Sequence, residues 1–104
     1  MIVNTPKVPY YAVIFTSVST ENQEGYAEIA KLMEELAHDH KGFIGMESAK
    51  NEIGITVSYW NDLSAIRAWK ENSDHVIAQK KGKTWYKSFK IRIAKVERDY
   101  GFDN

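Results

Sequence analysis

The apolar residues of this chain change their spacing several times, and the order of those changes limits the folds that it can adopt. Alternating apolar residues, as in YYAVIFTSV at 10–18, are typical of a strand, whereas apolar residues three or four positions apart over 21–40 are typical of a helix. The complete order is strand, helix, strand, strand, helix, strand. It predicts the ferredoxin-like α+β fold, in which a four-stranded antiparallel sheet carries both helices on one face. The predicted strands are 10–18, 43–50, 54–60 and 85–100; the first predicted helix begins at about 21, and the second begins after Asn61 or Asp62.

Turn and capping residues mark the ends of the first helix. Thr20 and Gln23 fit a capping box that would start it at about residue 21, although Gly25 could move the start. Gly42 stands where a glycine commonly ends a helix. These signals predict a helix over 21–40.

The second helix has a less regular pattern. Asn61 or Asp62 can cap its start, and the polar run ENSD at 71–74 predicts an interruption before a further short helix. On one unbroken helix Trp69 and His75 would lie about 120° apart around the axis. A kink at 71–74 would allow both to face one cavity.

The predicted sheet has more apolar surface than two helices on one face can cover. The first strand is apolar on both faces. The third strand has Ile55, Val57 and Tyr59 on one face and more polar residues on the opposite face. An uncovered face of this kind would expose a large apolar patch. We therefore expect a homodimer in which two copies pack sheet against sheet.

Composition excludes several classes of function. The 104 residues predict a single domain over 1–104, and the 14 basic and 14 acidic residues balance, so we expect no nucleic-acid partner. The chain contains no cysteine, which excludes thiol nucleophiles and thiolate metal sites. No apolar run is long enough to span a bilayer, so we expect no membrane association and a cytoplasmic location.

Familiar catalytic motifs are missing from the sequence. It contains neither GxGxxG nor GxxxxGK[ST], and no serine lies in a nucleophile motif. His38 and His40 are two residues apart and so lie on different helix faces, without a metal-binding pattern around them. We expect no protein metal site.

The segment YWNDLSAIRAWKENSDH, 59–75, holds the most informative side chains. Trp69 either packs in the core or lines a pocket, and a wide indole between helix and sheet can do both. Trp60 ends a strand, where tryptophan often serves only as an anchor at the rim. His75 is either an exposed polar residue or the proton shuttle of this region.

Four segments together resemble the antibiotic biosynthesis monooxygenase superfamily over nearly the full chain. They are YYAVIFTS at 10–17, KGFIGMESA at 41–49, ITVSYWNDLSAIRAWKENSDH at 55–75 and RIAKVERDYGF at 92–102. The resemblance implies a dimeric α/β barrel with a pocket between helices and sheet in each protomer. It also implies either cofactor-independent oxidation of aromatic substrates by molecular oxygen, or heme degradation, or binding without chemistry.

The resemblance can be carried over at particular positions. Trp69 matches the tryptophan of the heme-degrading branch, but the first strand has no asparagine and Gln79 stands where a histidine would ligate heme. We therefore predict no cofactor. In the cofactor-independent branch Trp69 would form the pocket wall, and His75 or Tyr59 would transfer a proton. The residues predicted to bind substrate are Trp60, Asn61, Arg67 and Tyr86.

Of the activities that the resemblance implies, we favour a cofactor-independent monooxygenase that acts on an aromatic or small hydrophobic substrate. Two alternatives stay open at this stage. One is a dimer of the same fold that binds a ligand without catalysis, and the other is a heme-binding or heme-degrading monooxygenase.

Overall fold

The computed structural model of the chain describes residues 2–79 and 84–103, with the side chains of 75–79 left out. The predicted order of elements is confirmed, and the four strands form one sheet in the order β2-β3-β1-β4 with antiparallel neighbours. This is the ferredoxin-like α+β fold. The elements are β1 (Tyr10–Ser19), α1 (Tyr26–Asp39), β2 (Phe43–Lys50), β3 (Gly54–Trp60), α2 (Leu63–Gln79) and β4 (Tyr86–Val96).

The strand register divides the sheet into two faces. Trp60 of β3 lies opposite Tyr11 of β1, and residues directly opposite each other share a face. Trp60 also contacts Trp69 of α2, so this is the helix-facing side of the sheet. Tyr59 and its partner Ala12 lie on the opposite side, the outer face.

The core forms where the helices meet the sheet. Helix α1 packs on β2 and α2 packs on β3. On β4 the helix-facing Ile91 and Ile93 remain 40% and 49% exposed, so the β4 side of the sheet is less covered than the β3 side. The buried apolar residues of the described part are Ala37, Trp60, Ile66 and Trp85, together with Tyr10 and Ala12 on the outer face.

Helix α1 begins at Tyr26, so the predicted start at residue 21 is wrong. The capping-box residues make other contacts: Thr20 Oγ1 donates to the Thr84 carbonyl, and Gln23 Nε2 donates to the Thr20 carbonyl. Gly25 is the residue before the helix, in the left-handed region with φ 79°. A glycine adopts that backbone conformation at little cost, which explains why it moves the start.

Helix α2 runs unbroken from Leu63 to Gln79, so the predicted interruption at 71–74 is wrong. Glu71, Asn72 and Asp74 of this run are exposed and Ser73 is half-buried, and Lys70 Nζ pairs with Asp74 Oδ2 at 2.8 Å. The predicted cap is confirmed at Asp62, whose Oδ1 accepts the Ala65 N–H at 2.8 Å. Neither helix has the length and apolar character for a bilayer crossing, as far as the chain is described.

The extended N-terminal segment covers part of the outer face. The backbone N–H of Val3 donates to Glu47 Oε2 at 2.8 Å, and its side chain packs against Gly45. Thr5 Oγ1 donates to Asp99 Oδ2 at 3.1 Å, which joins this segment to the residues that follow β4. The outer face thus has polar contacts of its own.

Candidate functional site

A group of four aromatic side chains lies between the helices and β3. The ring centroids of Trp60 and Trp69 are 6.0 Å apart, those of His40 and Trp69 are 5.4 Å apart, and those of Phe43 and Trp60 are 5.1 Å apart. Trp60 is fully buried, whereas Trp69 and His40 are only partly covered. We name His40, Phe43, Trp60 and Trp69 the tryptophan cluster. Its accessible edge consists of Trp69, His40 and Phe43, which are each half-buried.

Local chain geometry brings these residues together. Trp60 is the last residue of β3, and Trp69 follows within the first two turns of α2. His40 follows the end of α1, where its N–H donates to the Ala37 carbonyl at 3.0 Å. The Asn61 N–H donates to the Gly42 carbonyl at 2.8 Å, which holds the α1–β2 turn against the β3–α2 junction.

The imidazole of His40 is held by a side chain from α2. Asn72 Nδ2 lies 2.8 Å from His40 Nε2, and the amide nitrogen can only donate. With the Asn72 amide in this orientation Nε2 accepts, which leaves Nδ1 as the protonated nitrogen of a neutral His40 ring. Asn72 and Trp69 are three residues apart and so lie on one side of α2. The arrangement offers a hydrogen-bond donor beside an aromatic wall.

A second aromatic group lies near the start of β4. Its best-stacked pair is Phe15 and Phe89, with ring centroids 5.4 Å apart and planes inclined by 21°. Burial, and then a hydrogen bond with Tyr26, raise the pKa of the Tyr86 hydroxyl above its ordinary value of 10.0. Tyr86 thus lies in this group and not in the tryptophan cluster. The group consists of Phe15, Tyr26, Trp85, Tyr86 and Phe89.

Tyr59 lies on the outer face, across the sheet from the tryptophan cluster. Its hydroxyl donates to Glu47 Oε1 at 2.7 Å, and its ring packs edge-on against Tyr10 with centroids 5.9 Å apart. Burial, and then the hydrogen bond to Glu47, raise the pKa of Tyr59 to about 12. The structure does not bring this hydroxyl together with Trp69.

The remaining predicted side chains lie apart from the cluster or outside the described part. Asn61 and Arg67 are exposed at the start and on the surface of α2. His75 and Gln79 belong to α2, but their side chains lie outside the described residues. Because α2 is one continuous helix, positions 69 and 75 lie about 120° apart around its axis. The roles predicted for His75 and Gln79 stay predictions.

Sequence analysis missed His40 and Asn72 as site residues. His40 was considered there only as a metal ligand, together with His38. Because a break in the helix was predicted at 71–74, Asn72 was not expected on the helix face that it shares with Trp69. Within the residues that the structure describes, no three histidine, aspartate or glutamate side chains are grouped to hold a metal ion.

Comparison with known proteins adds to this geometry. Residues 9–81 match the family profile described as antibiotic biosynthesis monooxygenase. The chain is 50% identical over 97 residues to the uncharacterized protein YqjZ of Bacillus subtilis, with 90% of this chain and 85% of that protein covered.

Solved structures share the fold at low sequence identity. The cofactor-independent oxygenase SnoaB of Streptomyces nogalater superposes with a TM-score of 0.72 at 6% identity, covering 86% of this chain and 95% of that one. Protein SO0527 of Shewanella oneidensis gives a TM-score of 0.72 at 12% identity, covering 85% and 91%. On the match over residues 9–81, this chain belongs to the antibiotic biosynthesis monooxygenase family.

Proposed function

We propose that the chain is a cofactor-independent monooxygenase that oxidises a polycyclic phenol, or its keto tautomer, with molecular oxygen. The observation that carries the proposal is the contact of Asn72 with His40 at the accessible edge of Trp69. The indole of Trp69 would contact the aromatic rings of the substrate, and the Nδ1–H of His40 would donate a hydrogen bond to the substrate oxygen. A hydrogen bond to the charged form lowers the pKa of the group that accepts it, so the substrate would ionise more readily.

The open side of the sheet supports a substrate of several fused rings. Ile91 and Ile93 on β4 offer exposed apolar surface on the same face as the tryptophan cluster. Strand β4 is two positions from β3 in the sheet, a distance of about 10 Å at the usual strand spacing. A ligand that touches both Trp69 and this surface would have to span that distance.

The proposed reaction balances without a cofactor. The substrate anion transfers electrons to molecular oxygen, one oxygen atom becomes bonded to the ring carbon, and the other leaves as water. For anthrone, C14H10O and O2 would give anthraquinone, C14H8O2, and H2O. The substrate is oxidised and oxygen is reduced, so no external reductant is needed. SnoaB, which shares the fold at 6% identity, is a cofactor-independent oxygenase, and its chemistry agrees with the class proposed here.

The other predicted residues enter the proposal with smaller parts. Trp60 packs against Trp69 on its buried side. Tyr86 belongs to the second aromatic group, near the β4 surface. Asn61 and Arg67 would contact substrate only at the exposed start of α2. Proton transfer by His75 or Tyr59 stays a prediction.

The proposal is tested by oxygen uptake with anthrone as the probe. We expect catalysed uptake with one anthraquinone formed per oxygen molecule, and saturable quenching of tryptophan fluorescence. His40→Phe keeps an aromatic ring but removes the donor, so uptake should fall at least tenfold. His40→Gln keeps a donor and should retain part of the rate.

His38→Phe is the matched control, because His38 has a side chain 59% exposed and lies two residues away. It should leave uptake within twofold of the unchanged chain. Quenching without oxygen uptake would instead support a ligand-binding protein of the same fold. A stoichiometric Soret band with hemin that decays on reduction in air would support the heme branch and contradict the absence of a cofactor.

We also infer that a second copy covers the outer face. Ile55 is 43% exposed there, beside half-buried Val57 and Ile14. Analytical ultracentrifugation should give twice the 12.0 kDa of the chain. Ile55→Lys should yield monomers, whereas Ile91→Lys, 40% exposed on the helix-facing side, should not. A monomer at all concentrations would contradict this inference.

A further inference from the structure

We propose that the segment after β4 is an arm that binds a cavity on the outer face of the second copy. We name residues 100–103 the aromatic arm, because Tyr100 and Phe102 within it are 92% and 89% exposed. The proposal rests on the dimer inferred above. It adds which segment of the second copy fills this part of the outer face, and how the two copies are oriented.

The cavity lies at the β1–β4 end of the outer face and has a volume of about 220 Å³. Its lining residue Thr16 is the register partner of both Ile55 and Lys90, so these three residues share one face. A second copy that covers Ile55 therefore covers the cavity as well. The lining residues are Thr16, Ser17, Val18, Ile53, Ser88, Phe89, Lys90 and Arg92.

The cavity has an apolar wall that the aromatic arm can cover. Val18 and Ile53 line the cavity and are 37% and 50% exposed. Contact between this wall and the rings of Tyr100 and Phe102 would remove apolar surface of both copies from water. Aromatic side chains that enter a pocket of the partner often contribute a large share of the binding energy.

The cavity and the arm also carry opposite charges. Lys90 and Arg92 line the cavity, and no aspartate or glutamate does. Neither cation takes part in an ion pair found in the described part of the chain. Asp103 is exposed and directly follows Phe102. A ring and a carboxylate on adjacent residues thus match an apolar wall beside two cations, and such complementarity favours one partner and one register.

The arm cannot reach the apolar wall of its own chain. It follows Asp99, which accepts hydrogen bonds from Tyr10 and Thr5 at the opposite end of the sheet. Tyr10 and Val18 are eight residues apart on β1, which is about 27 Å at the usual rise per residue. Four extended residues span at most about 14 Å. An arm that fills the cavity therefore belongs to a second copy.

The position of the arm selects one of the two aligned arrangements of a two-fold dimer. An axis across the strands places β4 of one copy over β4 of the other with their ends exchanged, so each arm emerges over the cavity of the other copy. Packed sheets are about 10 Å apart, which four residues can span. An axis along the strands would bring each arm to β2 instead, where Val3 already packs on Gly45 and where Glu47 has the same charge as Asp103.

Protection of an edge strand is the simpler explanation for the charges on β4. Charged side chains on an edge oppose pairing with other chains, and Lys95 fits that role on the helix-facing side. This explanation does not account for a cavity whose cations adjoin an exposed apolar wall, nor for two exposed aromatic side chains beyond the end of the same strand. Binding of the arm of one copy in the cavity of the other accounts for both.

The first test is disulfide cross-linking between two variants, because the chain contains no cysteine of its own. A Phe102→Cys chain mixed with an Ile53→Cys chain should give, on mild oxidation, the mixed disulfide as the main product in mass spectrometry. Each variant has one cysteine, so every disulfide joins two copies. Ile91→Cys, on the helix-facing side, is the control and should give at least tenfold less mixed product with Phe102→Cys.

The second test is the dissociation constant of the dimer, measured by analytical ultracentrifugation. Phe102→Ala should raise it at least tenfold, because the two-fold symmetry removes the same contact twice. Leu32→Ala on α1, where Leu32 is 38% exposed, is the control and should change it less than twofold. Asp103→Lys and Lys90→Glu should each raise the constant at least threefold, and the chain with both substitutions should recover most of the affinity.

Three outcomes would contradict these expectations in different ways. An unchanged dissociation constant for Phe102→Ala would overturn the proposal and leave the dimer itself intact, as would a mixed product no more abundant than with the control. A Phe102→Cys chain that links mainly to itself would also overturn it, because the two arms lie at opposite ends of the proposed dimer. A monomer at all protein concentrations would contradict the dimer as well. Phe102 is exposed, so Phe102→Ala should keep the far-ultraviolet circular dichroism of the unchanged chain.

Discussion

The two faces of the sheet use aromatic residues in different ways. On the helix-facing side Trp60 is fully buried, and its indole N–H donates to the neutral Ser58 hydroxyl at 2.9 Å. On the outer face Tyr10 and Tyr59 donate to the carboxylates of Asp99 and Glu47. Contacts of the first kind depend mainly on packed volume, and contacts of the second kind depend on charge. The helix-facing side should therefore respond most to changes in size, and the outer face to changes in pH.

The largest effect is expected from Trp60→Ala. Removal of a fully buried aromatic side chain typically costs about 3–5 kcal/mol, because the surrounding residues cannot close the cavity. Urea denaturation should give that loss in the free energy of unfolding. The Leu63 side chain is 44% exposed, so Leu63→Ala is the control and should cost less than about 1 kcal/mol. A loss for Trp60→Ala as small as for the control would contradict the importance of volume on this side.

Replacement of glycine by alanine at two positions tests the same contrast between the two faces of the sheet. A Cβ on Gly42 would lie 2.7 Å from Ala65 Cβ, and a Cβ on Gly45 would lie 2.7 Å from Val3 Cγ1. Gly42 also has φ of 93°, so alanine there adds backbone strain. We expect losses of about 2–4 kcal/mol for Gly42→Ala and about 1–2 kcal/mol for Gly45→Ala in urea denaturation.

The difference between the losses expected for Gly42→Ala and Gly45→Ala has a physical cause that a second substitution can isolate. The N-terminal segment can move away from Gly45, whereas Ala65 is held within α2. Val3→Ala combined with Gly45→Ala should therefore recover most of the stability, and combined with Gly42→Ala it should recover none. Equal recovery in both pairs would show that the two contacts are not independent.

Glu47→Gln tests the charge dependence of the outer face at acid pH. The Val3 N–H, and then the Tyr59 hydroxyl, lower the pKa of Glu47 below its ordinary value of 4.5. A lowered pKa means that the ionised carboxylate stabilises the fold above pH 4.5, and that this contribution is lost as pH falls through the lower value. At neutral pH Glu47→Gln should cost about 1 kcal/mol, and the difference should vanish in acid.

The measurement is the free energy of unfolding in urea between pH 2.5 and 7. Glu52→Gln, exposed in the β2–β3 turn, is the control and should keep the acid dependence of the unchanged chain. A Glu47→Gln variant with that same acid dependence would contradict the assignment to Glu47.

The smallest effect on stability at neutral pH is expected from Tyr59→Phe. Loss of its hydrogen bond to Glu47 should cost about 0.5–1 kcal/mol. The pKa of Tyr59 is raised to about 12 from 10.0, so its protonated hydroxyl stabilises the fold below pH 10, and this contribution is lost as pH rises towards 12. Tyr59→Phe should flatten the loss of stability over that range, measured by urea denaturation.

Tyr100→Phe provides the comparison for this alkaline measurement, since Tyr100 is 92% exposed. It should leave the pH dependence unchanged. If both variants behave alike, the contact with Glu47 does not hold the proton on Tyr59.

Much of the fold, but little of the site, could be predicted from sequence. The β2–β3 hairpin was predicted with correct ends because its alternation is strong and its turn is short. The break at 71–74 was predicted wrongly, because polar residues that lie on an exposed helix surface resemble a loop in the sequence. The contact between His40 and Asn72 could not be predicted, since it joins side chains 32 residues apart.

By itself the sequence determined the order of the elements and which residues share a strand face, because both follow from local periodicity. The strand register confirmed that Tyr59 and Trp60 lie on opposite faces. Only the tertiary structure decided that Trp60 is buried while Trp69 stays partly accessible, that Asn72 holds His40, and that Lys90 and Arg92 border a cavity with Ile53. These facts depend on how distant elements pack, and local spacing carries no information about the distance between side chains on different elements.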